Sequence, residues 1–258
     1  MAPITVPNRH NFGGKTQLPA AFMIPISDDN PTRITPVVTW AIIALCALVY
    51  LWERSLGHDM DSAIFVLGFM PATLFGHHGT SPFGFVSLSP LATIFTSMFM
   101  HAGILHIAGN MLFLWIFGNN VEDAMGHGRF LLFYLACGIA AALALAFVDP
   151  GSRLPMVGAS GAISGVLAAY VLLFPRARVT VIVPLLIIFF PFVVSAFWVV
   201  TFWFLMQLVS AAASDPNQPG VAWWAHVGGF AAGLVLTPFL KSRSFPLFGR
   251  VRRGPWSR

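Results

Sequence analysis

Charge is what this sequence has least of. Asp, Glu, Lys and Arg make up 9% of its 258 residues, whereas hydrophobic residues make up 57%. A soluble domain carries about 25% charged residues, and a water-soluble fold of this size could not cover its surface with so few. The shortage excludes an ordinary soluble globule and points to a chain embedded in lipid. Cysteine is scarce too. Cys46 and Cys137 both sit inside apolar runs, which argues against a disulfide framework. An early apolar core is missing from the first ~35 residues, which are polar and proline-rich. No cleavable signal peptide is therefore expected, and the first apolar helix is expected to serve as a retained insertion signal.

The charge that is present lies unevenly. The net charge is +5, and Lys241, Arg243, Arg250, Arg252, Arg253 and Arg258 follow directly on an apolar run. That placement suits an anionic lipid surface. A nucleic-acid partner would need a soluble basic face, and there is little soluble mass to carry one.

A membrane-spanning helix needs about 20 apolar residues. Residues 34–52, 101–119, 130–148, 156–174 and 221–240 each qualify. Residues 63–90 carry no charge but are broken by Pro71, Pro82 and Pro90 and by several glycines. They read as a long interfacial loop with a short lipid-facing helix. Residues 179–214 are also uncharged, and a single helix of that length would reach about 54 Å. With one pass here the total is six, and every Lys and Arg except Arg54 and Arg153 falls on one side. Two passes would carry the basic tail across, against the positive-inside rule. The expectation is one pass, with Pro184 and Pro191 allowing a kink. The chain thus reads as an all-α, six-helix membrane bundle over residues 34–240. A short arm (1–33) and a basic tail (241–258) flank it, both cytoplasmic. Trp40, Trp52, Trp223 and Trp224 fall near span ends, as an interfacial aromatic belt would.

Strongly polar side chains inside a span are costly and mark function by default. Here they are His101, His106 and Asn110 in the second span, Ser160 in the fourth and His226 in the sixth. These three spans run in the same direction, and each polar group lies in the first part of its span, so all share one shallow depth. Gly161, Gly165 and Ala169 recur every four residues in the fourth span, and Gly229 and Gly233 do so in the sixth. Such spacing lets helices approach closely. Contact between these two spans would bring Ser160 within reach of His226, as a nucleophile and its base require. Ser160 also sits in the first turn of its helix, where free backbone N–H groups can hold an oxyanion. His106 and Asn110 share a helix face and can donate to the same oxyanion. His101 is off that face and is expected above the site, near its mouth.

The runs His101-x-x-x-x-His106-x-x-x-Asn110, Gly158-Ala159-Ser160-Gly161 and Ala225-His226-Val227-Gly228-Gly229 up to Gly233, in this order on alternate spans, resemble the rhomboid family of intramembrane serine proteases. The resemblance covers about residues 36–240. It implies a six-helix rhomboid-like bundle and a Ser160–His226 dyad with no acidic third member, no metal and no cofactor. It implies an oxyanion hole from the Ser160 N–H, His106 and Asn110, with His101 grouped on that substrate-binding side. It further implies single-pass transmembrane proteins as substrates, entering sideways past the fifth span; the plain architecture with no targeting peptide leads to the expectation of a bacterial inner membrane. Two features depart from the family pattern. Ala92-Thr93 stands where many members carry Trp-Arg, and Ser164 stands where many carry an aromatic residue that stacks on the histidine. A histidine held by a hydrogen bond instead is one expectation. Glu122 resembles a position with a structural role.

Other functions fit less well. A metal-dependent intramembrane protease would need a His-Glu-x-x-His pair or a carboxylate in the cluster, and neither is there. A transporter would show broken helices in matched halves. A catalytically weak relative acting as a membrane binding protein or chaperone is the alternative that keeps the fold. His77 and His78 read as loop residues, His127 as part of a turn with Gly126 and Gly128, and the aromatic residues of the fifth span as lipid-facing.

Overall fold

The computed structural model describes residues 24–76, 88–185, 188–214 and 220–249. His77, His78 and the tail arginines from Arg250 onward lie outside the described residues, as does most of the N-terminal arm. Five helices are long and apolar enough to cross a membrane: Val37–Ser55, Ile104–Met125, His127–Val148, Ala196–Ala213 and Trp223–Leu240. A shorter apolar helix, Ser160–Leu173, is the fourth span in chain order. Many residues facing out from the spans, among them Leu48, Leu105, Phe147 and Phe239, are themselves large and apolar. A water-exposed bundle would be polar there.

The first span (Val37–Ser55) has no acidic residue in its opening turn. Its orphan amides are satisfied from elsewhere. The Glu122 carboxylate accepts from the backbone N–H of Val38 at 2.9 Å and of Thr39 at 2.7 Å, and from the Thr39 hydroxyl at 2.7 Å. His127 Nδ1 is 2.6 Å from the same carboxylate. A negative charge at a helix N-terminus complements the free donors and the helix dipole. Glu122 thereby ties the end of the second span (Ile104–Met125) to the start of the first. His127 accordingly opens the third span (His127–Val148) and does not sit in a free turn.

The second span is not uniformly α-helical, being wound as a π-helix over Leu114–Gly118. The third and sixth (Trp223–Leu240) flank the fourth. A Cβ on Gly229 would stand 1.9 Å from the Gly161 carbonyl oxygen, and one on Gly233 2.4 Å from that of Gly165. A Cβ on Gly228 would meet Ala144 of the third span at 2.2 Å. Only glycine permits these approaches.

Within the run expected as an interfacial loop, the described residues 63–76 and 88–90 are more structured than a plain loop. They contain most of Met60–Leu67, all of Pro71–Leu74 and the start of Pro90–Thr96. Phe69 is fully buried, and its backbone bridges Met156 in both directions, at 3.0 and 2.7 Å. Backbone bonds from Ala72 to Ser152 and from Gly158 to Ser97 continue the clamp. These backbone bonds tie the segment to the approach to Ser160. Ala92 and Thr93 lie in the Pro90–Thr96 helix, which Ser89 caps by accepting from the Ala92 N–H at 3.3 Å.

The run 179–214 is not one kinked helix. It folds as a hairpin, β2 (Arg178–Leu185) and β3 (Ile188–Ser195), followed by the fifth span (Ala196–Ala213). The register pairs Val179 with Val194 and Ile182 with Pro191. β1 (Ile24–Asp28) adds antiparallel to β2, giving the order β1-β2-β3. The reason is local. Val-Thr-Val-Ile-Val and Phe-Val-Val are β-branched and aromatic, which disfavours helix and suits strands. Pro184 falls near the hairpin tip, and Pro191 lies on the edge strand, where a missing donor is tolerated.

Candidate active site

The fourth span, 14 residues long, measures about 21 Å at 1.5 Å per residue, against about 30 Å of hydrocarbon. Ser160 is its first residue, and Arg176 and Arg178 follow its C-terminal end. Ser160 therefore opens a helix, with the first-turn N–H groups free of helical partners.

His226 lies in the first turn of the sixth span and is 7% exposed. Its Nε2 is 2.7 Å from Ser160 Oγ. Next to this pair the two helices pack closely, a Cβ on Gly229 having to stand 1.9 Å from the Gly161 carbonyl oxygen. The other ring nitrogen, Nδ1, is 2.7 Å from Oε1 of Gln207 on the fifth span. Trp203 and Trp223 flank the imidazole with centroids at 6.1 and 5.9 Å. Ser164 does not reach the histidine; its hydroxyl donates to the Ser160 carbonyl at 2.7 Å. Among the fifth-span aromatics, Phe197, Trp198 and Phe202 are exposed as expected of lipid-facing residues, but Trp203 turns inward.

His106 approaches Ser160 from the second span across Gly158. A Cβ on Gly158 would stand 2.8 Å from His106 Nε2 and 3.7 Å from Ser160 Oγ. Gly158 has φ +126°, a conformation that glycine alone adopts without strain. The small space over Gly158 thus faces the nucleophile on one side and a ring N on the other. Asn110 is buried on the His106 helix and donates its amide N–H to the His106 carbonyl at 3.0 Å.

His101 is placed differently from the expectation of a mouth residue, being fully buried. Its ring packs edge-on against His106 at 5.3 Å, and its Nδ1 is 3.2 Å from the Phe99 carbonyl. Its backbone N–H donates to Glu53 at 3.2 Å from either oxygen. Among the described residues, no three His, Cys, Asp or Glu side chains stand together to hold a metal ion.

Two participants escaped the sequence reading. Glu53 lies just beyond the uncharged core of the first span, where a carboxylate passes for an interfacial charge. Gln207 is the strongly polar residue of an otherwise apolar fifth span, and the cost of burying an amide was the signal that could have found it.

Residues 89–243 match the family model described as Rhomboid domain. The chain is similar to Rhomboid protease GluP of Bacillus subtilis (strain 168), 47% identical over 76 residues, or 30% of this chain and 14% of that protein. It is similar to Rhomboid protein 1, mitochondrial, of Saccharomyces cerevisiae, 33% identical over 148 residues, covering 55% of this chain and 40% of the relative. It is also 32% identical over 112 residues to the human Presenilin-associated rhomboid-like protein, mitochondrial, covering 43% and 29%. The matched segments thus span less than half the length of each of these relatives.

Proposed function

Because this chain belongs to the rhomboid family and is an integral, multi-pass membrane protein, we propose that it is an intramembrane serine endopeptidase with Ser160 as nucleophile and His226 as base. The observation that carries this reading is the 2.7 Å contact between His226 Nε2 and Ser160 Oγ. A serine hydroxyl is a weak nucleophile until an adjacent base accepts its proton. His226 takes that proton as Oγ attacks a peptide carbonyl, and returns it to the leaving amine. Water then hydrolyses the acyl-enzyme by the same route. The Ser160 N–H and His106 hold the oxyanion over Gly158, and Asn110 joins them once its amide turns from the His106 carbonyl. His101 acts behind His106 by bracing its ring.

The substrates in this reading are single-pass transmembrane proteins, cut at a helix-destabilised segment bearing small residues. The membrane is read as a bacterial inner membrane, and the one-sided distribution of Lys and Arg supports both termini being cytoplasmic.

The test is labelling of detergent-purified protein with a fluorescent fluorophosphonate. The parent is expected to label, and equally folded Ser160→Ala and His226→Ala variants are not. A folded parent that does not label overturns the reading in favour of a binding or chaperone role.

A further inference from the structure

An uncharged span has little reason to carry Gln207. It lies well inside Ala196–Ala213 and is buried. An amide away from water is costly unless both its ends are bonded, and here both are. Nε2 donates to the Trp203 carbonyl one turn earlier, at 3.3 Å. That bond sets which way round the amide sits and leaves Oε1 facing His226 Nδ1 at 2.7 Å. An amide oxygen only accepts, so Nδ1 carries the proton. A neutral imidazole has one N–H, so Nε2 keeps its lone pair, 2.7 Å from Ser160 Oγ. The opposite tautomer would set two acceptors face to face at Gln207. It would also turn an N–H toward the serine, where it could not take the hydroxyl proton.

We propose that Gln207 is a positioning residue that fixes the tautomer and ring plane of His226, an inference that rests on the Ser160–His226 reading. In soluble serine hydrolases a carboxylate does this work and also stabilises the imidazolium. A carboxylate inside a span would cost far more to desolvate than an amide; the amide keeps the directional acceptor and omits the charge. The flanking residues cannot replace it. Trp203 and Trp223 offer only N–H donors, and the Ser164 hydroxyl is committed to the Ser160 carbonyl.

The experiment measures initial fluorophosphonate labelling rates and thermal unfolding for the parent, Gln207→Leu, Gln207→Met and Gln207→Glu, with Ser160→Ala as the blank. Leucine and methionine fill the space without a good acceptor, whereas glutamate keeps an acceptor in place. The expected result is a labelling rate about 10–100-fold lower for Leu and Met, the loss of one buried hydrogen bond. Both variants should stay folded with only a modest fall in unfolding temperature, from the His226 N–H left without its acceptor, and Glu should regain most of the rate. A packing role reverses the order, with Leu at the parent rate and Glu the slowest. Either that order or equal losses for Leu and Glu overturns the proposal. A parent that does not label overturns the dyad reading beneath it, whereas a labelled parent with an equally labelled Leu variant overturns only the role of Gln207.

Discussion

Gly158→Ala probes the space between nucleophile and oxyanion donor without removing any polar group. The added methyl would stand 2.7 Å from His106 Cε1 and 2.8 Å from its Nε2. Non-bonded heavy atoms rest about 3.5–4.0 Å apart, so the His106 ring would have to retreat by roughly 0.7–1.3 Å. A displacement near 1 Å costs about 10²-fold in a reaction that depends on placement, and loss of an oxyanion donor costs about 10²–10³. Labelling by a fluorophosphonate, whose phosphonyl oxygen occupies the oxyanion site, should therefore slow by about 10²–10³. An alanine at φ +126° should also cost about 1–3 kcal/mol of stability, seen as a lower unfolding temperature. The kinetic and structural parts separate in a double-mutant cycle. If the methyl acts by displacing His106, Gly158→Ala should slow labelling little further in a His106→Ala background. Full multiplication of the two losses would show that His106 is not the route. A Gly158→Ala protein labelling at the parent rate would refute the placement of the oxyanion over Gly158.

Two further outcomes follow from the packing and from the strand that docks on it. Gly229→Ala, whose Cβ would fall 1.9 Å from the Gly161 carbonyl, should separate the fourth and sixth spans and abolish both thermal stability and labelling. Gly109→Ala, with nothing within 4 Å, should change neither, and equal behaviour of the two would refute the close-contact argument. At β1, burial pushes Asp28 up from its ordinary value of 3.8 to about 6, with the Tyr170 hydroxyl bond and the neighbouring Asp29 as lesser influences of opposite sign. Asp29 itself pairs with Arg178 at 2.8 Å. Because the folded form prefers the proton, the docking of β1 is strongest below about pH 4 and weakens as pH rises through about 6, by about 3 kcal/mol at most. Hydrogen exchange over residues 24–28 should be faster at pH 8 than at pH 5 after correction for intrinsic rates. Asp28→Asn should flatten that difference, and a variant that keeps the parent's pH dependence would refute the assignment.

Much of this molecule could be read from one line of residues because lipid makes sequence unusually explicit. A histidine, an asparagine or a glycine-rich stripe inside an apolar run has no bland solvent-facing role to hide in. His106, Ser160 and His226 stood out for that reason, and the four-residue glycine spacing specified which two helices touch. The span count followed from where the arginines lie.

Tertiary structure decided the rest. Apolarity says that residues 179–214 avoid water, but helix and strand bury apolar residues equally well, so hydrophobicity alone could not separate the hairpin from the span; the β-branched run at 179–183 was the local signal for the strand. With that boundary misplaced, the rotation of the fifth span about its axis was unknown, and Gln207 had no face to point from. His101 was likewise undecidable, since its backbone N–H bonds to Glu53, 48 residues away. Sequence determined which polar groups must find partners inside the membrane. Only the packing of one helix against another decided which partners they found, because a hydrogen bond needs about 3 Å, and no spacing along a single chain fixes a distance between two spans.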